Sequence, residues 1–116
     1  MLSDKVKIVP AFKNFVMENP RDDFEGAAEF GPLWVGQKAL YFHDMETVYI
    51  PLEDLDHIEM FLLPGACGKA PCCAQDACFT VSNGKSITIK VLDHKYVERA
   101  ADYARKLNPL IRYTAK

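Results

Sequence analysis

No apolar run in this 116-residue chain approaches the roughly 20 residues that a membrane-spanning helix needs. Its opening, Met-Leu-Ser-Asp-Lys-Val-Lys, lacks the basic-then-apolar layout of a secretion signal. An excess of one charge is missing as well: 14 basic and 16 acidic residues leave a net charge of −2. Nucleic-acid binders take most of their affinity from phosphate contacts and carry a basic stripe. Anchoring to anionic lipid needs a polybasic patch. Neither is present, so nucleic acid is excluded as a partner and no stable membrane association is expected. The chain also lacks a phosphate-cradling glycine loop, a paired-carboxylate motif, and a Ser or Cys in a nucleophile motif. Four cysteines are too few for a disulfide scaffold in a chain long enough to build its own core. The expectation is a cytoplasmic protein with reduced thiols that is not an enzyme.

What is there is a pattern for β structure. Apolar residues make up 49% and charged residues 26%, the balance of an ordinary globular protein. No repeat or composition shift divides residues 1–116, which read as one domain. The organising stretch is 33–62. Trp34, Tyr41, Phe42, Val48, Tyr49 and Ile50 favour a half-buried pleated surface. Val48, Ile50 and Leu52 fall at period 2, as do Ile58, Met60 and Leu62. The pattern predicts a β-meander. It starts at Trp34-Val35, makes a tight connection at Gly36-Gln37-Lys38, and continues through a strand at 39–42, a turn at 43–46 and a strand at 47–52. A bend at 53–56 then sends a further strand, 57–63, in a new direction. Pro51 cannot donate to a ladder, so it marks an edge, a bulge or a strand end.

Residues 1–20 form a separate arm. Pro10 suits a first helical turn, Ala11, Phe12, Phe15 and Val16 recur at helical spacing, and Asn19-Pro20 ends the run. This predicts an amphipathic helix near 10–18. Its apolar face either serves as a dimerisation arm or folds onto its own sheet, and the second is expected because such faces find the nearest core. Residues 24–30 carry mixed signals and read as a short strand, since Gly26, Gly31 and Pro32 disfavour a helix.

Beyond the meander, 64–77 reads as a loop of Gly, Pro, Ala and Cys, long by ordinary loop statistics. Residues 78–92 read as a hairpin whose register can be argued. A two-residue Asn83-Gly84 turn would place Phe79 opposite Thr88 and Val81 opposite Ser86, mixing apolar with polar on one face. A three-residue loop, Ser82-Asn83-Gly84, places Phe79 opposite Ile87 and Ala77 opposite Ile89. It also puts Gly84 in the left-handed position of a G1 bulge. A one-residue slip turns over a strand's whole apolar set, so the three-residue loop is expected. Asp93 is a good N-cap for a helix at 94–107. Its predicted core stripe is Tyr96, Ala100, Tyr103 and Leu107, with Val97 and Ala104 beside it. Arg105 and Lys106 suit its carboxyl end, and Asn108-Pro109 stops it.

The unusual cluster is Cys67, Cys72, Cys73 and Cys78, spaced C-x4-C-C-x4-C. Thiolates this close can hold zinc tetrahedrally, but an adjacent Cys-Cys pair is awkward for one metal. Thiol-redox chemistry, with Lys69 lowering a nearby thiol pKa, is a second reading. Free thiols with no bound cofactor are the third, and the expected one. His43, His57 and His94 are far apart in sequence, and a Cys–His pairing at His57 has no support in spacing. Glu53, Asp54, Asp56 and Glu59 lack the spacing and glycine of a calcium loop and read as a solvated face.

The order of meander, bend, further strands, hairpin and closing helix resembles the pleckstrin-homology-like domains of bacteria and the related GRAM domains. So does the local text Lys38-Ala-Leu-Tyr-Phe followed by Tyr49-Ile-Pro-Leu-Glu-Asp-Leu-Asp-His-Ile-Glu. The resemblance covers about 31–107. It implies a mainly β fold: a bent antiparallel sheet or partly open barrel, capped by one carboxyl-terminal amphipathic helix, here with a short helix near the amino terminus. Lipid-binding members carry several basic residues in the first hairpin, where this chain has only Lys38, so phosphoinositide binding is not implied. The Cys-bearing loop lies outside the family pattern. The implied role is an interaction module that binds a protein partner or itself.

Overall fold

Two antiparallel meanders, each extended at one edge by a parallel strand, make up most of the protein. The computed structural model describes residues 7–44, 46–61, 75–91 and 93–115. In the first sheet, β1 (Ile8–Pro10), β2 (Ala28–Phe30), β3 (Leu33–Val35), β4 (Ala39–Asp44) and β5 (Glu46–Pro51) lie in the order β1-β5-β4-β3-β2. In the second, β6 (Leu55–Phe61), β7 (Gln75–Val81), β8 (Ser86–Val91) and β9 (Arg112–Ala115) lie in the order β8-β7-β6-β9. The helices are α1 (Pro20–Glu25) and α2 (His94–Leu107). The protein is mainly β, and among the described residues the sheets do not close into a barrel.

The predicted meander forms, with Tyr41 opposite Tyr49, Phe42 opposite Val48 and Leu33 opposite Phe42. The tight connection closes through Gly36 N–H donating to Ala39 O at 2.8 Å. Pro51 is the last residue of β5. Asp54 N–H then donates to Pro51 O at 3.0 Å and Leu55 N–H to Leu52 O at 3.3 Å, turning the chain into the second sheet. The turn read at 43–46 is narrower than expected: Asp44 and Glu46 already pair within the ladder.

Period 2 splits the first sheet into two faces, and both are buried. Leu33, Leu40, Phe42, Val48 and Ile50 face Ile58, Met60, Ala77 and Phe79 of the second sheet in the main core. On the opposite face Ala39, Tyr41 and Tyr49 gather Met17, Phe24 and Trp34 around them. That second burial explains why 39–42 reads as an unbroken apolar run.

The amino-terminal segment covers this second face, and it corrects the helix expected at 10–18. Residues 8–10 form β1, parallel to β5 with Ile8 opposite Thr47 and Pro10 opposite Tyr49. Bends and a turn follow. Phe12 and Phe15 pack against the main core, ring centroids 6.4 Å apart and edge to face. Met17 packs on the other face. A single helical stripe faces one way, whereas this segment fills two faces around a sheet edge, so it follows the edge in bends and a turn instead of coiling into a helix. The helix starts where the pattern placed its end: Pro20 opens α1, because a proline that halts one helix also fits the first turn of another. Phe24 therefore lies on α1, and the strand read at 24–30 shrinks to Ala28–Phe30.

The hairpin has the predicted register, Ala77 opposite Ile89 and Phe79 opposite Ile87. Gly84 sits at φ +89. Val81 N–H donates to Lys85 O and Gly84 N–H to Val81 O, both at 2.9 Å, as a three-residue loop with a G1 bulge requires. Strand β7 begins at Gln75, so residues 75–77 belong to the sheet and not to the loop read at 64–77. The rest of that loop, Leu62, Leu63 and Leu92 lie outside the described residues.

Helix α2 spans the predicted residues, and Asp93 caps it by accepting from Lys95 N–H at 2.9 Å. The buried face agrees with the predicted stripe in part. Val97, Ala100 and Ala104 are buried, with Ala101 added, and Tyr103 packs on Phe30 of β2, while Tyr96 and Leu107 are 38% and 39% exposed. Small side chains let the helix lie close on β2 and β3, and the larger ones flank the contact. Leu107→Ala is accordingly expected to cost only about 1 kcal/mol. Ala101→Leu should cost about 1–3 kcal/mol by overpacking. Urea unfolding of the two variants measures the difference, and a larger loss from Leu107→Ala would favour the Tyr96–Leu107 stripe.

Two strands escape the sequence pattern. β1 and β9 are short and pair in parallel with β5 and β6. In β9, Arg112 stands opposite His57, and its guanidinium Nη2 lies 2.8 Å from Asp56 Oδ2.

Candidate functional site

A chain of hydrogen bonds frames an apolar cleft, and it starts from one carboxylate. Asp23 lies on α1, which packs beside β4. Its Oδ1 accepts from Gln37 N–H at 2.9 Å and Lys38 N–H at 3.1 Å. Its Oδ2 accepts from Ala39 N–H at 3.1 Å and from the Tyr41 hydroxyl at 2.7 Å. A carboxylate that takes several donors ties a turn more firmly than neutral contacts do. Gly36 has no Cβ where one would meet the Asp23 carboxylate, so the close approach needs glycine.

The turn fixed in this way passes its position on. Lys38 O accepts from Leu52 N–H at 2.8 Å. Leu52 O accepts from Asn108 Nδ2 at 2.8 Å. Asn108 Oδ1 accepts from Leu110 N–H at 3.1 Å, and Asn108 O accepts from Ile111 N–H at 3.1 Å. The open cleft beside this run is about 490 Å³, lined by Met17, Lys38, Leu52, Glu53, Leu107 and Leu110 among others. Leu110 is 83% exposed at its mouth. Asn108, read in the sequence as a helix stop, is also the brace that holds Leu110 out.

The Tyr41 hydroxyl, pressed by burial and by its hydrogen bond to Asp23, holds its proton far above the usual tyrosine range. The folded state therefore favours the protonated phenol. That stabilisation is complete below the unfolded value of about 10 and is lost as pH rises above it. The urea midpoint should fall as pH passes about 10, and Tyr41→Phe should fall less steeply. Equal slopes for the two proteins would show that this proton contributes nothing. Tyr113, raised by burial and by Glu98 and Asp102, adds to the fall in both.

Of the four cysteines, Cys67, Cys72 and Cys73 lie outside the described residues. Cys78 is a free, half-buried thiol in β7, opposite Glu59 and Thr88 on the face turned away from the core. His57 Nε2 pairs with Thr114 Oγ1 at 2.9 Å. His43 is exposed on β4 and His94 opens α2. Asp56 pairs with Arg112, and Glu53 sits on the cleft rim. Among the described residues no group of His, Cys, Asp and Glu is arranged to hold a metal ion, and no helix is long and apolar enough to cross a membrane.

The sequence reading missed the cleft. Its faint signal was Leu107-Asn-Pro-Leu110, two leucines around a helix stop. No family model and no curated protein matches this chain.

Proposed function

We propose that the protein is a non-catalytic interaction module, related in fold to the pleckstrin-homology-like domains, whose cleft beside Leu110 takes an apolar side chain of a protein partner. One observation carries this reading: Leu110 is 83% exposed, yet its own N–H is held by Asn108 Oδ1 and that of the next residue, Ile111, by Asn108 O. An exposed leucine on a mobile tail is ordinary. One braced at the mouth of an apolar cleft loses little freedom on binding, which favours association. Lys38 and Glu53 on the rim supply one charge of each sign for orientation. What supports the family resemblance is the order of elements: a four-strand meander from β2 to β5, a bend, a three-strand meander from β6 to β8, then α2.

The test is Leu110→Asp, which should leave thermal unfolding unchanged because the side chain touches water in the folded state. Affinity capture with the wild-type protein and with the variant should differ by a protein that the wild type retains and the variant loses. Purified, that partner should bind the variant at least tenfold more weakly. Identical capture by both proteins removes the cleft from the function. A weak, salt-insensitive response to anionic vesicles is also expected from the net charge of −2. Tight, salt-sensitive vesicle binding would replace the protein-partner reading with a lipid one.

A further inference from the structure

A different surface carries an inference beyond the cleft. Among the described residues the two sheets leave four outer edges, β1, β2, β8 and β9, and an open edge is a template for pairing unless it is blunted. Three of them are blunted. β1 has three residues and ends in Pro10, and β2 has three residues. β9 has four, begins two residues after the Pro109-Leu110 turn, and carries the ion-paired Arg112. β8 carries only one such device, the ion-paired Lys90. It runs six residues, Ser86–Val91, without proline, glycine or bulge. Its one charge, Lys90, is drawn back onto Asp76 of β7, Nζ to Oδ1 at 2.8 Å.

The ladder fixes which backbone groups of β8 point outward. Val81 N–H donates to Lys85 O, so Lys85 and, at period 2, Ile87 and Ile89 face β7 with their amides and carbonyls. Ser86, Thr88 and Lys90 turn theirs to the open edge, and among the described residues no segment bonds to them. Side chains alternate in step. Ile87 and Ile89 are half-buried at the margin of the main core, while Ser86, Thr88 and Lys90 are exposed on the other face. The core's apolar face therefore continues to the last strand and stops with two isoleucines partly in water.

The order Ser86-Ile87-Thr88-Ile89-Lys90 is symmetric about Thr88 in its alternation of polar and apolar residues. Antiparallel pairing about a two-fold axis at Thr88 puts Ile87 against Ile89 of a second copy. It also puts Thr88 against Thr88 and Ser86 against Lys90. Like meets like on each face, as pairing across an edge requires. Every outward amide and carbonyl at Ser86, Thr88 and Lys90 finds a partner. A closed two-fold contact of this kind uses the same patch on both copies. We infer that β8 is a self-association edge, at which two copies of this chain join their four-stranded sheets antiparallel about Thr88. The contact is one strand wide, below the size of a permanent interface, so the dimer is concentration-dependent.

The experiment combines sedimentation with hydrogen exchange on the 116-residue protein. The weight-average mass should rise from 13.1 kDa toward twice that value with concentration. Over the same range the Thr88 amide should become protected, while the Ile87 and Ile89 amides, bonded to β7, stay protected throughout. Thr88→Pro removes an outward N–H without costing a bond to β7, and should be monomeric at every concentration. Leu110→Asp should dimerise as the wild type does, which separates this edge from the cleft. A monomer at all concentrations, or a dimer in which Thr88 exchange never changes, would overturn the inference. So would loss of the dimer in Leu110→Asp alone. If Thr88→Pro does not fold, the wild-type exchange pattern decides.

Discussion

Phe79→Ala is expected to lower stability by about 3–5 kcal/mol, the range for deleting a fully buried aromatic side chain. Phe79 is 0% exposed. It lies on β7 and stacks on Phe42 of β4, ring centroids 5.6 Å apart and planes 14° from parallel. This is where the two sheets meet, and among the described residues the sheets share no strand pairing. Side-chain packing joins them there, so a cavity at this contact loosens both sheets at once. Burial of the ring and loss of its dispersion contacts act in the same direction. Phe79→Leu keeps most of the volume and should lose roughly 1 kcal/mol. Denaturant unfolding measures both. A loss below about 1 kcal/mol for Phe79→Ala would mean that the sheets are joined elsewhere.

The second large effect is expected at Asp23. Asp23→Ala removes the acceptor for three backbone amides and the Tyr41 hydroxyl. The Gln37 and Lys38 amides are exposed and can turn to water. The Ala39 amide and the Tyr41 hydroxyl are partly buried, so they carry most of the cost. The sum is about 2–4 kcal/mol, given about 1.5–3 kcal/mol for a bond to a charged group and a further penalty for stranded donors. Tyr41 keeps a fallback acceptor in Pro20 O at 3.1 Å, which limits the loss. The variant has a second signature: with the turn released, the amides of Lys38 and Leu52 should exchange faster. Exchange unchanged at both, despite lower stability, would detach the carboxylate from the cleft.

Much of this fold could be read directly from residue order. Period-2 alternation located β5 and β6, because a residue two places on returns to the same face of the strand. The hairpin register followed from Phe79, Ala77, Ile87 and Ile89 with one glycine, because a slip of one residue would have turned isoleucine toward water. Asp93 announced α2 through the hydrogen bond its side chain makes to the next turn. Each of these is decided within a few residues of chain.

The tertiary structure decided the rest. Ala11, Phe12, Phe15 and Val16 have the spacing of a helical stripe, but Phe12 and Phe15 fill one face of a sheet built later in the chain and Met17 beside them fills the other. Local periodicity holds no record of that surface. The tilt of α2 onto Ala100, Ala101 and Ala104 depends on how closely β2 and β3 approach, which is a distance between elements and not a property of the helix. β1 and β9 form because edges of β5 and β6 were left open for them. The cleft is of the same kind. Asp23, Lys38, Leu52, Asn108 and Leu110 are spread across most of the chain, and only the folded sheets bring them into one hydrogen-bonded run. Sequence alternation determined which strands exist and which face of each is apolar. Packing between elements distant in sequence determined what covers those faces and where an apolar surface remains open.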